Sequence, residues 1–123
     1  MPEGHTVHRT ANDFNELFAG LKVAIDSPQG RFSADARLIS GRKLFVARAV
    51  GKQLFLEFDN DLTLRIHLGI YGKWAWHPAG EYPEVVGQIR ARFKSTKAIA
   101  ELRGPTTCEI LSADEVALLE KRL

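Results

Sequence analysis

The sequence holds one cysteine, Cys108, and one methionine, Met1, among 123 residues. A lone thiol closes no internal disulfide and supplies no clustered-thiolate zinc site. No apolar run approaches the roughly 20 residues that cross a bilayer as a helix. The opening Pro2, Glu3, Gly4 and His5 lacks the basic-then-apolar profile of a secretory signal. Internal repeats and low-complexity tracts are also missing. These absences leave a chain expected to be cytoplasmic and free of membrane.

Apolar residues make up 45% and charged residues 26%, the balance of one globular domain with a modest core. Net charge is only +2, but it is unevenly spread. Between Arg31 and Lys52 six basic residues (Arg31, Arg37, Arg42, Lys43, Arg48, Lys52) face Asp35 alone. From Arg65 to Arg103 seven basic residues stand against three acidic ones. A phosphate-binding face requires such segregation, although scattered solvated cations produce the same count.

Hydrophobic spacing organises the rest. Val7, Ala11, Phe14, Leu17 and Phe18 recur at helical spacing, so a helix is expected from Gly4 to Ala19, stopped by Gly20. Val23 to Asp26 reads as a short strand and Ser33 to Ile39 as a helical turn. The period then becomes two. Strands are expected over Leu44–Val50, Gln53–Phe58, Leu62–His67, Tyr71–Trp76, Gln88–Lys94, Ala98–Leu102 and Cys108–Leu111. Ser112 followed by Glu115 is a capping box that opens a last helix through Val116, Leu118 and Leu119. The fold class is therefore α+β, mainly β: a two-layer antiparallel β-sandwich with an N-terminal helix and a short C-terminal linker helix.

Chemistry concentrates at the start. Removal of Met1 would leave Pro2 as a secondary amine with a useful neutral fraction near pH 7. Attack of that nitrogen on a sugar C1′ displaces the base and yields an iminium. This cation draws electrons from C2′–H and promotes loss of the 3′-phosphate. Glu3, adjacent, is the candidate acid–base group. If Met1 is retained, Pro2 is an amide and no nucleophile. The plainer interpretation is that Pro2 starts a helix and Glu3 complements its dipole.

The opening Met-Pro-Glu-Gly-His-Thr-Val-His-Arg, the turn Gly51–Lys52 before Gln-Leu-Phe-Leu, and the segment His67-Leu-Gly-Ile-Tyr-Gly72 occur in that order. Together they resemble the formamidopyrimidine-DNA glycosylase and endonuclease VIII family, in its endonuclease VIII-like branch. Gln29-Gly-Arg-Phe32 and Gly104–Pro105 are similar as well. The resemblance implies a bifunctional glycosylase/lyase of base-excision repair, acting on oxidised pyrimidines in double-stranded damaged DNA. It would be a monomer associated with the bacterial nucleoid.

By that resemblance Pro2 and Glu3 are the catalytic pair, with Lys52 steadying a phosphate beside the lesion. Arg31 and His67 would contact DNA backbone. Gly69, Ile70 and Tyr71 would form the wedge that fills the stack vacated by the extruded nucleotide. Arg103 would reach the orphaned base. As bare residues, Lys52 is equally a solvated turn lysine, His67 a packed strand-end histidine and Tyr71 a hairpin core residue. Family members often carry a second glutamate where this chain has Thr6.

The resemblance also implies a catalytic domain over residues 1–111. Residues 112–123 would begin a linker to a helix–two-turn–helix region, where zinc is possible. No cofactor is expected within this chain, and the isolated domain is expected to bind DNA weakly and show little activity. Two other readings remain. One is a non-catalytic DNA-binding module. The other is an N-terminal-proline tautomerase, a class usually built from short βαβ units rather than a helix followed by strands.

Overall fold

The computed structural model describes residues 4–81 and 83–122. Pro2 and Glu3 lie outside the described residues. Three helices and eight strands alternate as α1 (Gly4–Leu17), β1 (Lys22–Asp26), α2 (Ser33–Ile39), β2 (Arg42–Val50), β3 (Gln53–Phe58), β4 (Leu62–His67), β5 (Lys73–Pro78), β6 (Ala91–Lys94), β7 (Ala98–Arg103), β8 (Thr107–Ser112) and α3 (Ala113–Glu120).

Every strand pairing is antiparallel, in the order β5-β7-β6-β1-β2-β3-β4-β8. The expected layers are thus two halves of one continuous ladder. They join only where Lys22 faces Lys43 and Val23 faces Arg42. Beyond this corner the edge of β2 is taken over by α1. The Asn15 amide donates to the Ala47 carbonyl at 2.9 Å, and the Ala47 N–H donates to Asn15 Oδ1 at 2.8 Å. One asparagine thereby satisfies two backbone groups that strand pairing leaves open.

The stripe of α1 seals the space between the halves. Phe14 is almost wholly buried and sets its ring about 5 Å from those of Phe18, Trp74 and Trp76, with Phe93 at 5.7 Å. Leu44, Leu54, Leu64 and Ile66 from one half and Phe93, Ala100 and Leu102 from the other complete a single core. A smaller cluster of Phe55, Leu111 and Val116 lies on the opposite face of β3 and β8, under α3. The capping box is present: Glu115 N–H donates to Ser112 Oγ at 3.2 Å, and Ser112 N–H to Glu115 Oε1 at 2.9 Å.

Strands β1, β2, β5, β7 and β8 run one or two residues past their expected ends, and three further boundaries differ for a local reason. Helix α1 ends at Leu17 rather than Ala19, because Gly20 at φ +81° turns the chain toward the Leu44 carbonyl. Strand β5 begins at Lys73 rather than Tyr71, since Gly72 N–H donates back to the Leu68 carbonyl and closes 68–72 into a turn. Strand β6 begins at Ala91 rather than Gln88. There Gln29 Oε1 takes the Ile89 N–H at 2.9 Å and Ser27 Oγ donates to the Arg90 carbonyl at 2.8 Å.

Candidate functional site

The turns at one end of the ladder carry most of the residues singled out from sequence. Lys52 occupies the tight β2–β3 turn, after Gly51 at φ +61° and before the Val50–Gln53 pair. It is exposed and borders a shallow apolar hollow with Val7, Thr10, Leu54, Ile66, Leu68 and Trp74. The opening turns of α1 and Lys52 therefore share one wall. His67, half-buried at the end of β4, faces Gln53 in register, so it sits beside the Lys52 turn. The carbonyl of His67 accepts the Thr106 N–H at 2.8 Å.

The next turn, 68–72, presents Ile70 and Tyr71 to solvent at 64% and 80% exposure. Tyr71 is thus not a hairpin core residue. Two exposed apolar side chains side by side on a tight turn form a small apolar projection. The glycines around them do not loosen the turn; they let it pack. A Cβ on Gly69 would fall inside the Thr106 hydroxyl, and one on Gly72 would lie 2.6 Å from Leu68 Cα. One on Gly104 would come within 2.9 Å of the Tyr71 carbonyl oxygen. The 68–72 turn is therefore wedged against the β7–β8 turn, and Ile70 and Tyr71 stand on a rigid base.

Arg31 is exposed and lines a small open cleft with Gln88, Ile89, Arg90 and Gly104. Arg103, by contrast, is turned into the fold. Its Nε and Nη2 donate to the Val86 carbonyl at 3.2 and 2.9 Å, and Nη1 lies 3.4 Å from Glu101 Oε1. Glu101 is buried, with His77 Nε2 at 3.0 Å. Arg103 is a clasp for the 79–90 loop, and reaching outward would require it to give up these bonds.

The clustering of cations along the sequence also resolves differently in space. Arg42 pairs with Asp59 at 2.7 Å, Arg48 with Glu57 and Glu120, Arg65 with Glu109 at 3.5 Å, and Arg92 with Asp26 at 3.3 Å. Those arginines serve the fold. The half-buried Cys108 thiol is pushed up to about 12 by burial, with the Arg90 charge opposing the shift. Sequence reasoning passed over Arg90, because nothing in its neighbours marks it from Arg92. Among the described residues no three His, Cys, Asp or Glu side chains are grouped to hold a metal ion, and no helix is long and apolar enough to cross a membrane.

The turn end thus brings together a hollow shared by the opening turns of α1 and Lys52, and the rigid projection of Ile70 and Tyr71. Residues 1–107 match the model of the formamidopyrimidine-DNA glycosylase N-terminal domain, and the chain belongs to that family. It is 44% identical to Endonuclease 8 1 of Mycobacterium tuberculosis, over all of this chain and 47% of that protein. It is 29% identical to Endonuclease 8 of Escherichia coli, over 94% of this chain and 44% of that one. The chain thus spans about half the length of these curated relatives. Among solved structures, MutM in complex with carbocyclic 8-oxo-G DNA superposes with a TM-score of 0.80 at 20% identity, over 98% of this chain and 49% of MutM. Lactococcus lactis formamidopyrimidine DNA glycosylase, non-covalently bound to AP-site DNA, gives 0.79 at 19% identity over 98% and 48%.

Proposed function

We propose that this chain is the catalytic half of a bifunctional DNA glycosylase/AP lyase that removes oxidised bases, pyrimidines foremost, from duplex DNA. The observation that carries the reading is the wall shared by Val7, Thr10 and Lys52, one turn away from the exposed pair Ile70 and Tyr71. Pro2 and Glu3 immediately precede α1 in the sequence, and α1 shares its hollow with a lysine suited to hold a phosphate. The relatives named Endonuclease 8, and the structural neighbours bound to damaged DNA, support the same substrate class.

In this reading the deprotonated Pro2 nitrogen bonds to C1′ and the C1′–N glycosidic bond breaks, its electron pair leaving with the base. Glu3 delivers the proton that opens the sugar ring, and an iminium forms between Pro2 and C1′. Loss of a C2′ proton then expels the 3′-phosphate, and water releases the sugar fragment from Pro2. Lys52 and His67 hold flanking phosphates, and Ile70 and Tyr71 enter the stack in place of the extruded nucleotide. Gly69 serves by letting the turn pack against Thr106. Arg31 adds a backbone contact further along.

The test is borohydride trapping on a duplex with an abasic site, using the full polypeptide that bears this chain, with the mass of its N-terminal peptide measured. Processed protein should give a covalent adduct that Pro2→Gly and Glu3→Gln abolish. A correctly processed, DNA-binding protein that never forms the adduct overturns the chemistry in favour of a binding module. The isolated 123-residue chain is expected to bind weakly and nick little.

A further inference from the structure

We infer that Arg90, with Arg31, forms a second backbone-phosphate subsite on the far side of the Ile70–Tyr71 projection. This rests on the DNA-glycosylase reading above. The described arginines that are half-buried are Arg48, Arg65, Arg90, Arg92 and Arg103. Four of them reach a carboxylate: Arg48 to Glu57 and Glu120, Arg65 to Glu109, Arg92 to Asp26, and Arg103 to Glu101. Arg90 alone among these has no hydrogen-bond or ion-pair partner for its guanidinium within the described residues. A guanidinium drawn partly out of water costs stability unless an anion meets it. Among the described residues the fold supplies none.

The fold supplies an opening instead. Arg90 and Arg31 line the same cleft with Gln88, Ile89 and Gly104, and Arg31 is likewise without a partner there. Its walls are fixed. The Arg90 N–H donates to the Leu102 carbonyl at 2.8 Å, its carbonyl accepts from Ser27 Oγ, and the Gln29 amide donates to the Gly87 carbonyl at 3.0 Å. Gly104 touches the Tyr71 backbone, which ties the cleft to the turn carrying the projection. Two guanidinium groups lining one cleft on a rigid backbone suit a phosphodiester better than a single carboxylate, since each offers a fork of donors to separate oxygens. The positive rim thus continues past the projection: Lys52 on one side, Arg90 and Arg31 on the other.

The experiment measures DNA affinity of the full polypeptide against salt concentration, for wild type, Arg90→Gln, Arg90→Lys and Arg31→Gln. Arg37→Gln, a free surface cation on a separate hollow, is the control. One lost phosphate contact lowers the salt slope by about 0.9, with affinity about tenfold weaker at low salt. Arg90→Lys should keep most of the slope, and Arg37→Gln all of it. In parallel, single neutral methylphosphonate linkages are scanned along the duplex. One position should weaken wild type but not Arg90→Gln. This scan decides the matter in wild type and Arg31→Gln even if Arg90→Gln fails to fold. If wild type binds DNA and is trapped by borohydride, yet slope and scan are unchanged in the variants, the subsite is wrong and the glycosylase reading stands. If wild type binds no DNA, both fall.

Discussion

The two faces of the ladder treat their positive charges in opposite ways. Under α3, on the outer side of β2, β3, β4 and β8, Arg48 and Arg65 are both answered. Arg48 lies over the Phe55 ring at 5.7 Å and meets Glu57 and Glu120, and Arg65 meets Gln53 and Glu109. At the turn end, Lys52, Lys73, Arg31 and Arg90 have no such answer among the described residues, and two exposed apolar side chains, Ile70 and Tyr71, stand at the same end. Charges closed on themselves orient helices and strands but attract little from outside. Charges left open around an apolar projection suit a polyanion with a stackable interior. The contrast, rather than the net charge of +2, is what separates scaffold from site.

The comparison breaks most severely if the turn end loses its rigid base. Gly72→Ala would push a Cβ to 2.6 and 2.7 Å from Leu68 Cα and Cβ, both tightly held. A stability loss of about 3 kcal/mol is expected, at the upper end for overpacking, together with a displaced Ile70–Tyr71 turn and weaker DNA binding. Urea unfolding followed by tryptophan fluorescence reads the first. An unchanged midpoint would mean that the turns are not wedged together.

A swap of cations sharpens it. Arg48→Ala removes a bridge between β3 and α3 whose members are about one-third exposed, so a modest cost of about 1 kcal/mol is expected. The salt slope of DNA binding should stay as in wild type. Lys52→Ala should do the reverse: stability within about 0.5 kcal/mol, with DNA binding and adduct formation both reduced. Equal losses of stability in the two variants would erase the proposed division of labour.

Much of this architecture was legible in advance. Val7, Ala11, Phe14 and Phe18 announced α1 because a single face must seal two half-sheets, and the period-two runs announced β2, β3 and β4 because one side of each is core. The capping box marked where α3 begins, at Ser112. What was not legible depends on contacts distant in sequence. Tyr71 reads as the start of a strand because an exposed aromatic residue on a turn shares the composition of a buried strand. Gln88–Arg90 looked paired because the Gln29 and Ser27 side chains that occupy its backbone lie about 60 residues away. Arg103 and Arg90 are indistinguishable as letters. Only the Val86 carbonyl bonded to Arg103, and the lack of any such partner for the Arg90 guanidinium among the described residues, tell a clasp from a free cation.

A gentler probe uses Cys108, which lies within the field of Arg90. With its thiol pushed up to about 12, chiefly by burial, roughly one molecule in ten thousand is thiolate at pH 8. Alkylation of the native chain should therefore be far slower than of the urea-unfolded chain, followed by intact mass. Comparable rates would show that the half-buried site opens freely.

The smallest expected effect lies in the acid response of α3. The Glu115 carboxyl is held below its usual range by the Ser112 backbone N–H and then the hydroxyl, and the Glu120 carboxyl mainly by the Arg48 guanidinium. Groups depressed in the folded state stabilise it above the unfolded carboxylate value, about 4.3 for glutamate. That contribution is lost as pH falls through the lower folded values, because protonation then releases Arg48 and the Ser112 amide. Both carboxylates act on α3, whereas α1 is held by Asn15 and a ring cluster that do not titrate. Amide exchange, corrected for its intrinsic pH dependence, should therefore show α3 losing protection at a higher pH than α1. Glu120→Gln should flatten the part due to Arg48 and leave the part due to the cap. If α1 and α3 lose protection together, the paired face is not a separate latch, and the contrast between closed and open cations carries no mechanical consequence.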